Sequence, residues 1–301
     1  MEVKYIKDLR SFDFTIKNLS LVLGYFDGLH IGHMHLINYA KMNSSGPVGV
    51  VTFDEPLKPV EGQITTLEEK IFLLNKLKID YLFVLMVDEN FRHLSYIDFI
   101  NKFLKRFNPK MIFCGNDYTF GYKAKGNIFD LKMAFSNVQV MNYVNDFNHE
   151  KISSSKIKEL IKDGQVKEAS VYLGRPYALI GSIAHGFKKG SELGRPTANL
   201  IPIEYLVVPK DGVYITRTNI AGKIYDSLTN IGTHPTINEV RKPTIETHIF
   251  NFKDNLYGKN IKVYFYKRLR DEIKFKSVDD LEKQIDKDIK EATDYLKNNL
   301  K

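Results

Sequence analysis

The chain has 301 residues, of which 43% are hydrophobic and 27% charged, a balance typical of a globular protein large enough for two separate cores. No apolar run approaches the length of a membrane span and residues 1–10 contain no apolar signal core, so we expect a cytoplasmic protein without a membrane partner. The net charge of +8 favours anionic partners, from nucleotides to nucleic acid, although no long basic block appears. The single cysteine, Cys114, excludes an intramolecular disulfide, fits a reducing cytosol and is expected to be buried, since it ends an apolar run.

The first predicted elements are a strand, a tight turn and a helix. Residues 21–23 are apolar, residues 24–30 are punctuated by Gly and Asp, and Leu36, Ile37 and Ala40 follow at helical spacing. The first N–H groups of a helix have no internal partner and carry the positive end of its dipole. The start of this helix is therefore a natural site for an anion.

The corner between this strand and helix contains residues suited to such a ligand. His30 and His33 are three apart and can donate hydrogen bonds from one side of the first turn. Glycines let the backbone approach a ligand closely, and they stand at Gly24, Gly28 and Gly32. Two other interpretations stay open on these residues alone: a surface turn with solvated histidines, and a metal site that also uses His35.

The rest of the N-terminal half alternates short apolar strands with amphipathic helices. We predict strands at 48–53, 81–87 and 110–114, helices at 66–77 and from Ser95 onward, and a further helix and strand through Tyr143. Thr66 and Glu69 have the spacing of a capping box, and residues 97, 100, 104 and 107 give the second helix its apolar stripe. This alternation predicts an α/β fold with a doubly wound parallel sheet.

Ligands of such sheets bind at the carboxyl ends of the strands, where three predicted loops can converge on one crevice: 24–33, 54–59 and 115–126. The third loop alternates polar and aromatic side chains, which suits a flat heteroaromatic ligand, although a structural loop explains it equally well. These side chains are Asn116, Asp117, Tyr118 and Phe120.

A group of hydroxyls with a nearby lysine heads the next predicted helix: Ser153, Ser154, Ser155 and Lys158. Such a group can hold a phosphate, or it can simply cap the helix. After a further helix at 166–173 the pattern changes to strands and turns, and we place the domain boundary between residues 174 and 175.

The C-terminal half is predicted to be an antiparallel β-barrel. Strands are expected at 178–185, 213–220, 224–228, 244–252 and 261–269, with a hairpin turn at Ala221 and Gly222. Ser277 caps a terminal helix whose apolar stripe is expected to pack on the barrel, and this stripe consists of Leu281, Ile285, Ile289, Ala292 and Leu296.

Two features of this half indicate phosphate chemistry. A Gly-rich loop can wrap phosphates through its backbone and lysines, with Gly186, Lys189 and Gly190 as candidates. Thr197 and Asn199 point the same way on an extended segment and can complete the shell of a Mg²⁺ held by ATP. Glu246 lies in a strand of alternating polarity, as either a functional inward carboxylate or an outward salt-bridging one.

These motifs resemble two known families. Residues 24–33, Gly-Tyr-Phe-Asp-Gly-Leu-His-Ile-Gly-His, are similar to the His-x-Gly-His signature of nucleotidyltransferases, with the Phe-Asp-Gly lead-in of prokaryotic FAD synthetases. Residues 196–199, Pro-Thr-Ala-Asn, resemble the motif of riboflavin kinases, and residues 230–236, 256–259 and 269–272 also resemble that family. Together they span almost the whole chain, which resembles the prokaryotic bifunctional riboflavin kinase/FAD synthetase family.

The resemblance implies a Rossmann-like FMN adenylyltransferase domain at 1–174 and a riboflavin kinase barrel at 175–301. In the first domain it implies that His30, His33 and Lys158 stabilise the transferring phosphate. It assigns ATP binding to Gly24, Phe26, Asp27, Gly28, Gly32, Ser153, Ser154 and Ser155, and flavin binding to Asn116, Asp117, Tyr118 and Phe120.

In the second domain the resemblance makes Glu246 the general base toward riboflavin and assigns Mg²⁺ and ATP to Thr197 and Asn199. The Gly-rich loop, with Gly186, Lys189 and Gly190, would bind phosphate, and Arg270 would belong to a flavin-side loop. ATP, riboflavin and FMN are the implied small-molecule partners, with FAD as product, no nucleic acid, and a monomer or weak homo-oligomer.

Two departures from the family accompany this interpretation. Lys158 stands where the family often has Arg, and residues 54–59 lack the histidine that the family commonly carries there. An active kinase with a degenerate, non-catalytic N-terminal domain is therefore an alternative. An RNA-binding protein is a second alternative, disfavoured because no basic and aromatic platform recurs along the chain.

Overall fold

A computed structural model describes residues 1–8, 12, 16–55, 62–146, 149–184, 196–203, 205–232, 243–252 and 254–299. The chain divides into two compact units, Met1–Ser154 and Ser155–Lys301. Among the described residues, no helix has both the length and the apolar character needed to cross a membrane.

The first unit is built on a six-stranded sheet of parallel strands in the order β1-β4-β3-β2-β5-β6. The strands are β1 (Glu2–Ile6), β2 (Ser20–Leu23), β3 (Val48–Phe53), β4 (Tyr81–Leu85), β5 (Met111–Gly115) and β6 (Val138–Met141). The helices of this unit are α1 (Ile31–Asn43), α2 (Leu67–Lys76), α3 (Glu89–Arg92), α4 (Tyr96–Asp98) and α5 (Ile128–Ala134).

The sheet is covered on both faces, as the predicted doubly wound fold requires. Alternate residues of β4 belong to two different cores, Phe83 and Leu85 to one and Leu82 and Val84 to the other. The prediction of a parallel α/β fold is therefore confirmed. Sequence analysis missed β1, a short edge strand with alternating polar residues that pairs with β4.

The helical segment after Ser95 differs from its prediction. The Ser95 hydroxyl caps it as expected, accepting a hydrogen bond from the Asp98 N–H at 3.0 Å. The chain then widens into a π-helical turn, Phe99–Phe103, and tightens into a 3-10 turn, Leu104–Phe107. This change of period rotates the buried stripe, so the expectation for Ile97 is wrong: it is 53% exposed.

The second unit is a closed six-stranded barrel of antiparallel strands in the order β10-β11-β8-β7-β12-β9, which confirms the predicted architecture. The strands are β7 (Tyr177–Ala184), β8 (Thr197–Pro202), β9 (Gly212–Ile220), β10 (Lys223–Gly232), β11 (Thr244–Ile249) and β12 (Asn260–Arg270). Its helices are α6 (Ser154–Lys162), α7 (Val166–Leu173) and α8 (Val278–Asn299).

The barrel interior contains a ladder of hydroxyl groups that no water reaches. Thr216 hydrogen-bonds to Ser227 at 2.8 Å and to Thr229 at 2.9 Å, and Thr229 bonds to Thr247 at 3.0 Å. Because each of these oxygens has a partner, the polar interior is satisfied without solvent. Thr247 thus faces inward on β11, and its neighbours on that strand face outward.

The terminal helix α8 packs on the outside of the barrel as predicted. Ala292 and Leu296 are buried against Val213, Ile215 and Leu228.

The predicted domain boundary between residues 174 and 175 stays a prediction. The compact units divide earlier, after Ser154, because α7 packs against β7 and β12.

Candidate active sites

The corner after β2 is shaped by a buried aromatic ring. Phe26 has a left-handed backbone, φ 55°, and is fully buried in the core. A Cβ on Gly24 would lie 2.7 Å from the Phe26 ring, so only glycine fits there. Gly28, φ 77°, also takes the left-handed region that glycine accepts readily.

A buried carboxylate fastens this corner to the segment before α2. Asp27 Oδ1 accepts hydrogen bonds from the N–H groups of Ile64, at 2.8 Å, and Thr65, at 3.4 Å. The Gly28 N–H in turn donates to the Thr65 hydroxyl at 3.1 Å. The Phe26 ring and Asp27 Oδ1 thus shape the corner, and the ATP-binding roles of these two residues stay predictions.

The two histidines of the corner lie against each other at the start of α1. His30 is the N-cap, and its Nδ1 accepts a hydrogen bond from the His33 N–H at 3.4 Å. The rings stack with centroids 3.6 Å apart, and Phe26 meets the His33 ring edge-on at 5.2 Å. An accepting Nδ1 leaves the proton of a neutral His30 on Nε2.

Burial, and then the nearby His30 and Lys70, lower the pKa of His33 well below its usual range, so its imidazole is uncharged at neutral pH. His33 Nδ1 is buried and has no hydrogen-bond partner among the described residues. The metal interpretation gains no support, since no cluster of three His, Cys, Asp or Glu suited to a metal occurs in the described part of the chain, and His35 is exposed.

Sequence analysis missed a third basic residue near this corner. Lys70, in α2, is 1% exposed and donates from Nζ to the carbonyl of Tyr25 at 3.3 Å. Its only sequence signal is its spacing of four from the buried Leu74, and such a lysine is usually solvated.

The serine segment reaches the corner through one hydroxyl. Ser154 Oγ donates to the carbonyl of Asp27 at 2.8 Å. Ser153 precedes it in the same unit, whereas Ser155 and Lys158 belong to the second unit. The phosphate-binding roles of the four residues stay predictions.

The strand order brings together the loops that the sequence suggested. β2 lies between β3 and β5, and the three strands are parallel. The loops that follow them therefore begin side by side at the carboxyl ends of the strands. In the loop after β3, Asp54 Oδ1 accepts from the Val87 N–H at 2.8 Å, which ties the ends of β3 and β4 together. Residues 56–59 of that loop lie outside the described residues.

The loop after β5 divides into a packed part and an open part. Phe120 is 7% exposed and stacks on Tyr118, with centroids 5.6 Å apart, against the core. Burial also raises the pKa of Tyr118, which keeps its hydroxyl protonated. Asp117 pairs with Lys151 at 2.5 Å, whereas Asn116 Oδ1 is buried without a hydrogen-bond partner in the described residues. Asn116 therefore places an unused polar atom in this loop, and the flavin-binding roles of the four loop residues stay predictions.

The barrel aligns residues that are far apart in sequence. Glu246 of β11 lies directly opposite Asn199 of β8 on one side and Asn230 of β10 on the other. Opposed residues of antiparallel strands share a sheet face, and Thr197, two residues before Asn199, shares it too. Since Thr247 faces the interior, this row lies on the outer face of the barrel.

The structure does not test four of the residues that were predicted for the kinase site. Gly186, Lys189 and Gly190 lie outside the described residues, so their role stays a prediction. Arg270 is engaged with the terminal helix, because its Nη2 is 2.7 Å from Oδ2 of the buried Asp288. Its proposed flavin contact likewise stays a prediction.

A parallel sheet with two histidines at a helix start, followed by a barrel that aligns a carboxylate with a hydroxyl and amides, is typical of a two-domain transferase that acts on phosphates. Comparison with known families agrees with this class, since the FAD synthetase family model matches residues 15–156 and the riboflavin kinase model matches residues 173–296. The chain belongs to the bifunctional riboflavin kinase/FMN adenylyltransferase family. Both domains are present, which favours the bifunctional enzyme over a kinase with a degenerate N-terminal domain.

Individual relatives agree with this assignment. The bifunctional riboflavin kinase/FMN adenylyltransferase of Bacillus subtilis is 35% identical over 92% of each chain. The enzyme of the same name from Haemophilus influenzae is 32% identical over 98% of this chain and 99% of its own. A crystal structure from Streptococcus pneumoniae, described as a macrolide-efflux protein, superposes over all of both chains with a TM-score of 0.86 and 32% identity.

Proposed function

We propose that riboflavin is phosphorylated on the outer face of the barrel around Glu246, and that FMN is adenylylated at the corner around His30 and His33. The observation that carries the first assignment is the register that sets Glu246 between Asn199 and Asn230. The family assignment supplies the substrates riboflavin, FMN and ATP.

In the kinase reaction, the Glu246 carboxylate accepts the proton of the riboflavin 5′-hydroxyl as that oxygen attacks the γ-phosphorus of ATP, and ADP leaves as its bond to that phosphorus breaks. The donor set beside it fits Mg²⁺, which prefers oxygen ligands: the Thr197 hydroxyl and the Asn199 amide oxygen share the face of Glu246. When bound with ATP, Mg²⁺ would neutralise part of the negative charge on the ATP phosphates. Thr197 and Asn199 would hold the ATP phosphates toward Glu246.

In the adenylyltransferase reaction, an FMN phosphate oxygen attacks the α-phosphorus of ATP and pyrophosphate leaves. The phosphate is already an anion, so the site requires no general base. His30 and His33 act as hydrogen-bond donors at the start of α1, with the His33 imidazole uncharged, and stabilise the charge of the phosphates. Asn116, with its unused oxygen, is suited to a polar edge of the flavin.

Four further features belong to the same proposal: a cytoplasmic location, small-molecule substrates alone, no nucleic-acid partner, and a monomer or weak homo-oligomer. The absence of a long basic block in the sequence supports the exclusion of nucleic acid. A shift of labelled RNA by the protein at physiological salt would contradict it.

The experiment that tests the assignment uses the two activities as controls for each other. Glu246→Gln is expected to abolish FMN formation from riboflavin, while FAD formation from supplied FMN persists. Chromatography of the flavins with ATP present measures both. FMN formation at the wild-type rate by Glu246→Gln would refute the role of this carboxylate, and loss of both activities would indicate misfolding or a wrong assignment.

A further inference from the structure

The first residues of β8 include Thr197, a predicted ligand of ATP and Mg²⁺, and they have less support than the rest of the strand. β8 pairs with β7 from Asn199 to Pro202, and with β11 from Thr197 to Asn199. Within the described part of the barrel, Thr197 therefore has a neighbouring strand on one side only. The position of its hydroxyl depends on how firmly the start of β8 is held against β11.

Pro196, directly before β8, offers one backbone group by which the start of the strand can be held. Proline has no N–H, so its carbonyl is the only main-chain group that can form a hydrogen bond. That carbonyl lies 3.1 Å from Nδ1 of His248, on the neighbouring strand β11. A carbonyl oxygen only accepts, so Nδ1 of His248 carries a proton and donates it. The imidazole thus joins the start of β8 to β11 beside the backbone pairing of the two strands.

His248 lies close to the groups of the proposed kinase site. It stands directly opposite Thr197 in the strand register, and two residues after Glu246 on the same outward-facing side of β11. Two residues along a strand span about 7 Å. The imidazole is partly buried and lies tilted against Phe250, with ring centroids 5.7 Å apart, which limits its orientations. The bond from His248 to Pro196 therefore fixes Thr197 relative to the strand that carries the Glu246 carboxylate.

We propose that His248 is a positioning residue for riboflavin phosphorylation, which holds the start of β8 through Nδ1 so that the Thr197 hydroxyl meets the ATP phosphates beside Glu246. The inference rests on the proposed function of this face as the kinase site. His248 neither transfers a proton nor touches ATP in this scheme. Its effect is geometric, because a small displacement of a binding group slows a reaction that depends on the alignment of two substrates.

The test separates the Nδ1 donor from the ring and from its proton chemistry. Asn can place an amide N–H where His has Nδ1 and does not titrate, so we expect His248→Asn to stay within about threefold of wild type. Phe keeps the ring and loses the donor, so we expect His248→Phe to raise the KM for ATP in FMN formation about tenfold. The KM for riboflavin should stay within about twofold, whereas a general loosening of the barrel would raise both.

The matched control is Thr244→Val, on the other side of Glu246 in the same strand. The Thr244 hydroxyl also donates to a carbonyl of a neighbouring strand, that of Gly232 at 3.0 Å, but it does not hold β8. We expect neither KM to change in this variant. An equal rise of the KM for ATP in Thr244→Val and His248→Phe would overturn the proposal, because the effect would then not depend on Pro196.

Other outcomes at His248 also overturn the proposal. A packing role predicts an active Phe variant and an impaired Asn variant, and a direct role of the imidazole in catalysis predicts that both are impaired. Wild-type kinetics in both variants would show that the bond has no effect. FAD formation from supplied FMN, measured in the same samples, is expected to stay constant.

If His248→Phe does not fold, the wild-type protein without substrates decides. Nitrogen NMR of the neutral imidazole shows which ring nitrogen carries the proton. A proton on Nδ1 of His248 supports the proposal, and a proton on Nε2 alone overturns it. Glu246→Gln separates this inference from the proposed function, because FMN formation at the wild-type rate there would refute the kinase site itself.

Discussion

The ion pair between Arg270 and Asp288 joins the end of β12 to the terminal helix. Arg270 Nη2 lies 2.7 Å from Asp288 Oδ2, and Arg270 Nε lies 3.0 Å from the same oxygen. Gln284 donates to the other carboxylate oxygen at 2.7 Å. The side chains are only 19% and 7% exposed, so the pair is largely shielded from water.

Asp288→Ala removes the carboxylate and leaves the Arg270 guanidinium half-buried with one hydrogen bond, to the Asp271 carbonyl at 2.9 Å. Removing one partner of a buried pair destabilises a protein by about 3–5 kcal/mol. Because Arg270 retains some contact with water, we expect the lower end of that range, about 3 kcal/mol. Arg270→Met combined with Asp288→Leu should recover most of this loss, since no unpaired charge then remains.

The assay is urea unfolding followed by circular dichroism, with kinase activity as a probe of the barrel. Glu291→Ala is the matched control, since Glu291 pairs with Lys267 at 3.1 Å between the same strand and helix but with 48% and 40% of the side chains exposed. This change should alter stability by about 0.5 kcal/mol or less. A loss below about 1 kcal/mol for Asp288→Ala, or equal losses for both variants, would refute the reasoning.

One further substitution and one alkylation experiment test the N-terminal unit. Gly24→Ala sets a Cβ 2.7 Å from the buried Phe26 ring, so we expect a loss of about 1–3 kcal/mol and weaker FAD formation with kinase activity retained; an unchanged thermal midpoint would contradict this. Burial raises the pKa of Cys114 to about 12, so the native thiol should resist alkylation at pH 8 and react rapidly in urea. Rapid alkylation of the native protein would contradict the burial of this thiol. Because the unfolded thiol ionises near pH 8.5, the free energy of unfolding should also fall as the pH rises above that value.

Much of the fold follows from local sequence pattern. Apolar runs and amphipathic spacing predicted β3 and α7 at the observed bounds, and the hydroxyl of Thr66 caps α2 as its spacing with Glu69 indicated. These features are local, because they depend on residues within one or two turns of each other. The pattern failed at Ile97, which lies just before a π-helical turn, and at β1, whose edge position allows polar residues.

The sequence by itself determined the parallel sheet, the barrel and the motifs whose residues are close together, such as His30 with His33 and Thr197 with Asn199. Only the tertiary structure decided that Glu246 stands beside Asn199, because the register of strand pairing depends on contacts across the whole barrel. It also decided which charged side chains are buried. Lys70 and Asp288 have the sequence signature of solvated helix residues, and only their packing against the corner and against Arg270 removes them from water.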